Sequence, residues 1–437
     1  MTTERRLERD LPQILGELAM GPYPDYIDDV LATTAQRRQR AAWTFPERWL
    51  PMFDVARQPV LAPRIPWRQV GVLALIALLV AGTLAAYVGS QPRLPEPFGP
   101  AANGLIAYDA GGDIYAADPV TGVATAIVSG PETDVSPRYS PNGTHVVFER
   151  RLDTGLGQLY VARSNGADLT LITPDPIQLT DPLLGEPWEP YQFSPDGQSV
   201  LIAHTTNSAA SISIARSDGT EVRRIDVGML AFEPSFRPPY GAEILFVGNP
   251  GEAARGHGLY AVDISSGDVR TIVEPSTVYD LAGATWSPDG SRIAYWRWGG
   301  QATGINARVH IILGDGRGDL ELPVPPGAVW QATSAWSNDG SRLFLLRGYT
   351  PGFEDVRAAV IPADGRSSGV ELRVSAVLDG ECCANWEWAP DDSLILGTPA
   401  DAVGKPMQQL ITDPETGVTR PAPWTSTSDP TWQRLVP

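Results

Sequence analysis

The sequence contains few of the residues that build disulfide frameworks and metal sites. Its 437 residues include only two cysteines, Cys382 and Cys383, and four histidines. Two adjacent cysteines exclude a disulfide framework and lack the paired spacing of a zinc site. The histidines are scattered along the chain, so we predict no metal site and no bound cofactor. Lysine is almost absent as well, because Lys405 is the only one and arginine supplies the other basic charges.

Positive charge is scarce in most of the chain. The formal net charge is −18, and residues 89–437 carry 23 basic against 42 acidic side chains. An acidic domain repels phosphate groups, so we predict no nucleic-acid partner. Turn residues are plentiful, with 43 glycines and 41 prolines. Without a collagen period, this composition indicates many turns between short elements.

Long apolar runs are absent except between Val70 and Val88. These 19 residues carry no charge and would span about 30 Å as a helix, the thickness of a bilayer core. A signal peptide would lie at the extreme N-terminus, so we predict a retained transmembrane helix over residues 70–88. Seven arginines lie between residues 37 and 68, which places the N-terminus in the cytoplasm. The expected protein is therefore single-pass in the cell membrane, with its C-terminal bulk outside.

The segments around this run are short and divide into three parts. Residues 1–40 show two helical patterns, neither with enough apolar face to fold alone. Residues 41–69 are rich in Pro, Trp and Arg, which suits a strip on the membrane surface or a disordered spacer. Residues 89–102 form a proline-rich linker. This layout resembles that of bacterial membrane-bound anti-sigma factors, and the resemblance implies a sigma factor as cytoplasmic partner.

A repeat fills residues 103–437. Its unit is an aromatic residue, a Pro-Asp-Gly turn and an apolar run, as in TWSPDGSRIAYWR at 285–297. The aromatic residue recurs every 43 to 54 residues, at Tyr139, Phe193, Phe236, Trp286, Trp336, Trp388 and Trp432. A period of this size is typical of four-stranded propeller blades.

A second signature gives the number of blades. It is a strand that ends in a glycine turn, with copies at Gly122, Gly166, Gly219, Gly267, Gly316, Gly365 and Gly417. An apolar strand at 104–108 lacks an aromatic strand before it, and the aromatic strand at 430–437 lacks partners. Pairing these two would close the ring and leave no open sheet edge. We therefore predict an all-β, seven-bladed β-propeller.

The repeat resembles a known family. The stretch WSPDGSRIAYW at 286–296 is similar to the WD-repeat-like propeller repeats of the TolB family, and the resemblance covers residues 103–437. It implies the propeller fold. The resemblance says little about function, because the same repeat occurs in transport accessories, peptidase gates and sensors.

The expected function is non-catalytic. A serine peptidase with such a propeller needs a G-x-S-x-G nucleophile elbow on a hydrolase domain. We expect neither here, because we identify no such motif and no residues remain for that domain after the last repeat. We therefore predict that the chain is not an enzyme. It is expected to be a membrane-anchored extracytoplasmic binding or sensor protein that relays a signal to a cytoplasmic partner. The alternative is a passive envelope scaffold that joins proteins through the propeller.

One face of the propeller is the expected binding surface, because its connections are longer and more varied. Aromatic and acidic residues at these connections would suit a protein partner or a cationic, sugar or peptide ligand, unless they simply pack between blades. They are Glu186, Trp188, Glu189, Asp280, Trp298, Trp330, Glu381 and Trp386. Cys382 and Cys383 lie nearby and are either a vicinal disulfide or two reduced thiols.

Overall fold

The computed structural model describes most of the repeat region. The described residues are 98–177, 191–206, 209–251, 256–299, 306–351, 355–372, 385–399 and 408–435, together with residue 76. Apart from residue 76, the predicted cytoplasmic segment, juxtamembrane strip and transmembrane helix lie outside them. Within the described part of the chain, no helix is long and apolar enough to cross a membrane.

The described residues form seven four-stranded antiparallel sheets, and each sheet is one blade. Blade 1 combines three strands from the start of the repeat region with the last strand of the chain. The strands of blades 1 to 3 are β28 (Thr431–Leu435), β1 (Ala102–Ala110), β2 (Asp113–Ala117), β3 (Ala124–Val128), β4 (Thr133–Tyr139), β5 (His145–Arg151), β6 (Gly157–Arg163), β7 (Thr170–Leu171), β8 (Tyr191–Phe193), β9 (Ser199–Thr206), β10 (Ala209–Arg216) and β11 (Val222–Ile225).

Blades 4 to 7 each use four consecutive strands. These are β12 (Leu230–Phe236), β13 (Glu243–Asn249), β14 (Gly258–Asp263), β15 (Val269–Val273), β16 (Tyr279–Trp286), β17 (Arg292–Gly299), β18 (Ala307–Leu313), β19 (Leu320–Glu321), β20 (Trp330–Trp336), β21 (Arg342–Gly348), β22 (Val356–Pro362), β23 (Val370–Glu371), β24 (Asn385–Trp388), β25 (Ile395–Thr398), β26 (Leu410–Thr412) and β27 (Thr419–Pro421). The first strand of each blade is the innermost, and the aromatic repeat residue lies on it.

The C-terminal strand closes the ring. β28 pairs antiparallel with β1, and Trp432 lies opposite Ile106 in the register. It thereby supplies the innermost strand of blade 1, whose sheet order is β28-β1-β2-β3. The prediction of a seven-bladed propeller closed by its last strand is confirmed.

Antiparallel pairing sorts the connections onto two faces. Within a blade, the first-to-second and third-to-fourth connections lie on one face, which we call the turn face. The second-to-third connections and those between blades lie on the other, which we call the loop face. On the turn face, the seven repeat glycines between the third and fourth strands have φ between 69° and 87°. Only glycine adopts this conformation without strain, which explains the sequence signature.

The core lies at the seven seams, a seam being the contact between two neighbouring blades. Each seam has its own cluster of buried apolar side chains. The seven repeat aromatics are 2 to 8% exposed and belong to this core. Each buries a large apolar surface between sheets, so the spacing of the aromatics follows the spacing of the blades.

Arginines reinforce three seams on the turn face. The pairs are Arg237 over Trp286, Arg292 over Trp336 and Arg342 over Trp388, with 4.8 to 4.9 Å from guanidinium carbon to ring centroid. Each arginine also reaches a carbonyl in the next blade; Arg292, for example, donates to the Gly340 carbonyl at 2.7 Å. These contacts join blades 4, 5, 6 and 7.

Candidate functional site

The predicted binding residues divide into three groups. Six candidates lie outside the described residues, and their roles stay predictions: Glu186, Trp188, Glu189, Glu381, Cys382 and Cys383. Trp330 and Trp386 are 3% and 2% exposed and belong to one core cluster. The ring of Trp386 stacks on Phe344 with centroids 4.6 Å apart. These two tryptophans therefore pack between blades.

Asp280 and Trp298 form the third group, and the structure brings them together. They lie opposite each other where β16 begins and β17 ends, at the loop-face edge of blade 5. Trp298 is half-buried, and its ring lies 4.7 Å from that of Trp296. One acid and one aromatic side chain of the predicted set thus share a loop-face edge.

Asp280 holds a histidine that the sequence did not single out. Nδ1 of His257 lies 2.7 Å from Oδ1 of Asp280, across the seam between blades 4 and 5. The backbone N–H groups of His257 and Leu281 donate to the same oxygen at 3.0 and 2.9 Å. The side chains of His257 and Asp280 are 31% and 30% exposed. A neutral imidazole that donates from Nδ1 keeps Nε2 unprotonated, so Nε2 can accept a proton.

Two neighbours fix the position of this imidazole. The ring of Phe232 meets it edge-on, with centroids 5.7 Å apart and planes at 82°. The preceding residue, Gly256, has φ 109°, and a Cβ there would lie 2.2 Å from the Ser276 carbonyl oxygen. Glycine is therefore required for the chain to bring His257 this close to blade 5. The imidazole is held by Asp280 and the edge of Phe232.

A carboxyl group lies at the same seam. Glu233 occupies a β-bulge of β12 between Phe232 and Ser235 and has φ 50°. Its Oε2 accepts a hydrogen bond from the Gly283 backbone at 2.7 Å. Burial raises the pKa of Glu233, although backbone hydrogen bonds from β16 and the nearby His257 act in the opposite direction. The seam therefore combines an imidazole that can accept a proton with a carboxyl group whose pKa is raised.

A second histidine lies in a more enclosed network in blade 5. Nδ1 of His310 is 2.9 Å from Asp319, and its ring stacks on Tyr295 at 5.6 Å. Arg297 pairs with Asp319 and donates to the Tyr295 hydroxyl at 2.9 Å. Burial and then the charge of Arg297 lower the pKa of His310. His310 is 6% exposed, so this network offers less access than the His257 pair.

The pattern G-x-S-x-G of a nucleophile elbow occurs once, at 365–369, and the sequence reasoning missed it. In the structure this segment is the turn between β22 and β23. The Ser367 hydroxyl accepts a hydrogen bond from the Gly369 backbone at 3.0 Å. An elbow joins a strand to a helix and exposes its serine, whereas this turn joins two strands. The geometry is that of a turn residue.

We find no candidate metal site among the described residues. Among those residues, no three His, Cys, Asp or Glu side chains are grouped to hold an ion. The carboxyl groups near His257 instead receive hydrogen bonds from backbone N–H groups. What the seam offers is proton transfer.

Comparison with known proteins places the chain among propellers. No family model matches it. It is 27% identical over 131 residues to the uncharacterized peptidase YuxL of Bacillus subtilis; this stretch is 30% of the chain but only 17% of that protein. An oligogalacturonate lyase solved in complex with manganese is similar over 74% of this chain and 85% of its own, with a TM-score of 0.52 and 15% identity. TolB from Acinetobacter baumannii covers 78% of this chain and 68% of its own, with a TM-score of 0.41 and 17% identity.

These findings correct two expectations. The predictions that the chain is not an enzyme and that it serves as a non-catalytic sensor or scaffold are wrong. The finding against them is that the sequence relative carries the name of a peptidase. The expectation rested on the lack of a separate hydrolase domain, and such a lack does not exclude an enzyme.

Proposed function

We propose that the chain is a hydrolase that cleaves peptide bonds at the loop face, with His257 as general base and Asp280 as the group that orients it. The observation that supports this most strongly is the 2.7 Å contact between Nδ1 of His257 and Oδ1 of Asp280. About two thirds of each side chain is enclosed, yet both remain accessible. The name of the sequence relative favours a peptide as substrate.

The reaction uses water as nucleophile. Nε2 of His257 takes a proton from a water molecule while the water oxygen attacks the peptide carbonyl carbon. The Asp280 carboxylate stabilises the imidazolium that results. The departing nitrogen must then receive a proton before the C–N bond breaks, and a second group has to supply it. Trp298, on the same edge of blade 5, offers apolar surface to a substrate side chain.

The test uses the full chain and a panel of fluorogenic peptides. His257→Gln removes the proton acceptor, and we expect kcat/KM to fall about 10²-fold or more. The matched control is His145→Gln on the turn face, where Nδ1 meets the Thr144 hydroxyl at 2.8 Å instead of a carboxylate. The proposal fails if the wild-type chain hydrolyses no peptide, or if His257→Gln is as active as the control.

A second reaction fits the same geometry. Elimination in a uronate polymer also needs a base to take a carbon-bound proton and an acid to protonate the leaving oxygen. In this reaction His257 would be the base and Glu233, at the same seam, the acid. Oligogalacturonate is therefore a second substrate for the same variants, with the ultraviolet absorbance of the unsaturated product as readout. Turnover of this substrate alone would replace the peptidase proposal.

For location, we propose that residues 70–88 anchor the propeller on the outer side of the cell membrane. The support is the uncharged run of 19 residues and the arginines that precede it. An alkaline carbonate wash should leave the chain in the membrane fraction, and protease added to intact cells should degrade the propeller. Release by the wash would contradict the proposal.

A further inference from the structure

Glu233 occupies a backbone position that suits other residues better. The innermost strands of blades 2, 4 and 5 share a bulge in which one residue takes positive φ. That residue is Ser136 in blade 2, Glu233 in blade 4 and Gly283 in blade 5, with φ of 55°, 50° and 62°. A long side chain is disfavoured in this conformation, and such strain is concentrated at functional sites.

The surroundings of Glu233 add to the cost of placing a carboxylate there. The side chain is half-buried at the inner end of the seam, and its Oε2 meets the Gly283 N–H at 2.7 Å. Burial is the largest influence on the pKa of this carboxyl group and raises it. Backbone hydrogen bonds from Gly283 and Ala284 and the nearby His257 act in the opposite direction but do not cancel the effect of burial.

Holding two blades together does not explain this choice of residue. At the seam between blades 7 and 1, Glu387 accepts the Trp432 N–H at 3.3 Å with either carboxylate oxygen. Glu387 does so without positive φ. The N–H of Ser136, in the same bulge position as Gly283, is satisfied by the neutral Ser428 hydroxyl at 3.1 Å. The N–H of a bulge residue can therefore be satisfied without a carboxylate, and without an acceptor residue whose backbone has positive φ.

We propose that Glu233 is the general acid of this site and protonates the departing nitrogen. The inference rests on the proposed function and completes it. His257 takes the proton from water as the C–O bond forms, and Glu233 gives its proton to the amine as the C–N bond breaks. After the products leave, the proton on His257 passes through water to the Glu233 carboxylate, which restores both groups. One seam thus provides both proton transfers.

The experiment compares Glu233→Gln with Glu387→Gln in the full chain, on the peptides that the wild-type chain hydrolyses. Glutamine keeps an oxygen that accepts the backbone N–H but has no proton of the right acidity to give. We expect Glu233→Gln to lose about 10²-fold in kcat and to lose the alkaline limb of the pH–rate profile. Glu387→Gln, which has the same change in a similar contact, should keep the wild-type rate and profile.

A second measurement follows the carboxyl group itself. Because the folded-state pKa of Glu233 is raised, wild-type stability falls as pH rises from the ordinary carboxyl pKa through the raised value. Glu233→Gln should lack this fall in thermal midpoint, whereas Glu387→Gln should keep it. The readout does not depend on turnover.

The outcomes distinguish failure of the hydrolase proposal from failure of the acid role of Glu233. If His257→Gln is inactive while Glu233→Gln keeps the wild-type rate and pH profile, the hydrolase stands and the role of Glu233 is wrong. If both glutamine variants lose activity and stability alike, Glu233 is a structural link and the inference is wrong. If the wild-type chain hydrolyses no peptide, the proposed function fails and the acid role fails with it.

Discussion

Two seams of the ring are joined by the same device but differ in what surrounds it. Between blades 4 and 5, Glu233 accepts a hydrogen bond from the innermost strand of the next blade. Between blades 7 and 1, Glu387 makes the corresponding contact. At the first seam, the chain runs from blade 4 into all four strands of blade 5. At the second, it runs from blade 7 into β28 alone, and the pairing of β28 with β1 closes the ring within blade 1. We call the seam between blades 7 and 1 the closing seam.

The two seams differ in how many hydrogen-bond partners their polar groups have. At the closing seam, the buried carboxylate of Asp109 accepts hydrogen bonds from the hydroxyls of Ser426, Thr427 and Ser428. At the seam between blades 4 and 5, by contrast, the imidazole of His257 keeps one third of its surface exposed. Polar groups with saturated partners stabilise the fold, whereas groups with unused capacity are available to a substrate.

The largest effect on stability is expected at the closing seam. Asp109→Ala removes the buried acceptor of three hydroxyls, of which that of Ser426 is itself buried, and should lower the free energy of unfolding by about 3 kcal/mol. Urea denaturation measures the change. The control Asp315→Ala, whose side chain is 52% exposed, should change it by less than about 0.5 kcal/mol. Equal effects in the two variants would show that Asp109 does not secure the closure.

At the other seam the expected loss is in rate rather than stability. Asp280→Asn keeps an oxygen for the backbone N–H groups but removes the charge that orients His257. We expect kcat to fall about 10²-fold, equivalent to about 2.7 kcal/mol of transition-state stabilisation. Stability should change by less than about 1 kcal/mol, because the pair is partly exposed. If Asp280→Asn is stable and keeps the wild-type kcat, Asp280 does not orient a catalytic base, and the two seams do not differ in function.

Arg237 tests how much the turn face contributes to the seam between blades 4 and 5. It stacks on Trp286 and donates to the Gly290 carbonyl at 2.9 Å. Arg237→Met keeps much of the packing but removes the charge, and should cost about 1 kcal/mol of stability, since the arginine is partly exposed. Thermal denaturation and peptide hydrolysis are measured together. A fall in kcat with unchanged stability would mean that the stack acts on the site.

The smallest expected effect is a response to acid near the same seam. Burial and Arg297 lower the pKa of His310, so the folded protein resists its protonation. The stability contributed is present above the unfolded-state pKa and is lost as pH falls through that value towards the lowered one. His310→Gln should therefore lose less stability than the wild type between pH 7 and 5. Parallel pH profiles from calorimetry would contradict this.

Much of the fold could be predicted because each blade repeats the same local requirements. Seven aromatics fill the seams, and seven glycines take the positive φ that the outer turns need. The closure was predictable too, because an unpaired strand at each end of a sheet protein demands a partner. Such signals are local in sequence, and the number of blades follows from counting them.

The site could be predicted only in part, because packing between blades brings it together. Asp280 and Trp298 were found from their place in long connections, but Trp330 has the same sequence signature and is buried. His257 is 23 residues from Asp280, and Glu233 is 50 residues from Gly283. No motif of fixed spacing joins residues of different blades at these distances. Only the curvature of the ring makes them neighbours.

Chemical rescue tests the central claim most directly. His257→Gly removes the base and leaves a space between Asp280 and Phe232 that added imidazole can enter from the loop face. We expect this variant to be about 10²-fold slower than the wild type in peptide hydrolysis, and to recover part of the rate as the imidazole concentration rises. The recovery should be absent when Asp280→Asn is added. A variant that keeps the wild-type rate, or that imidazole does not accelerate, would contradict a general base at this seam.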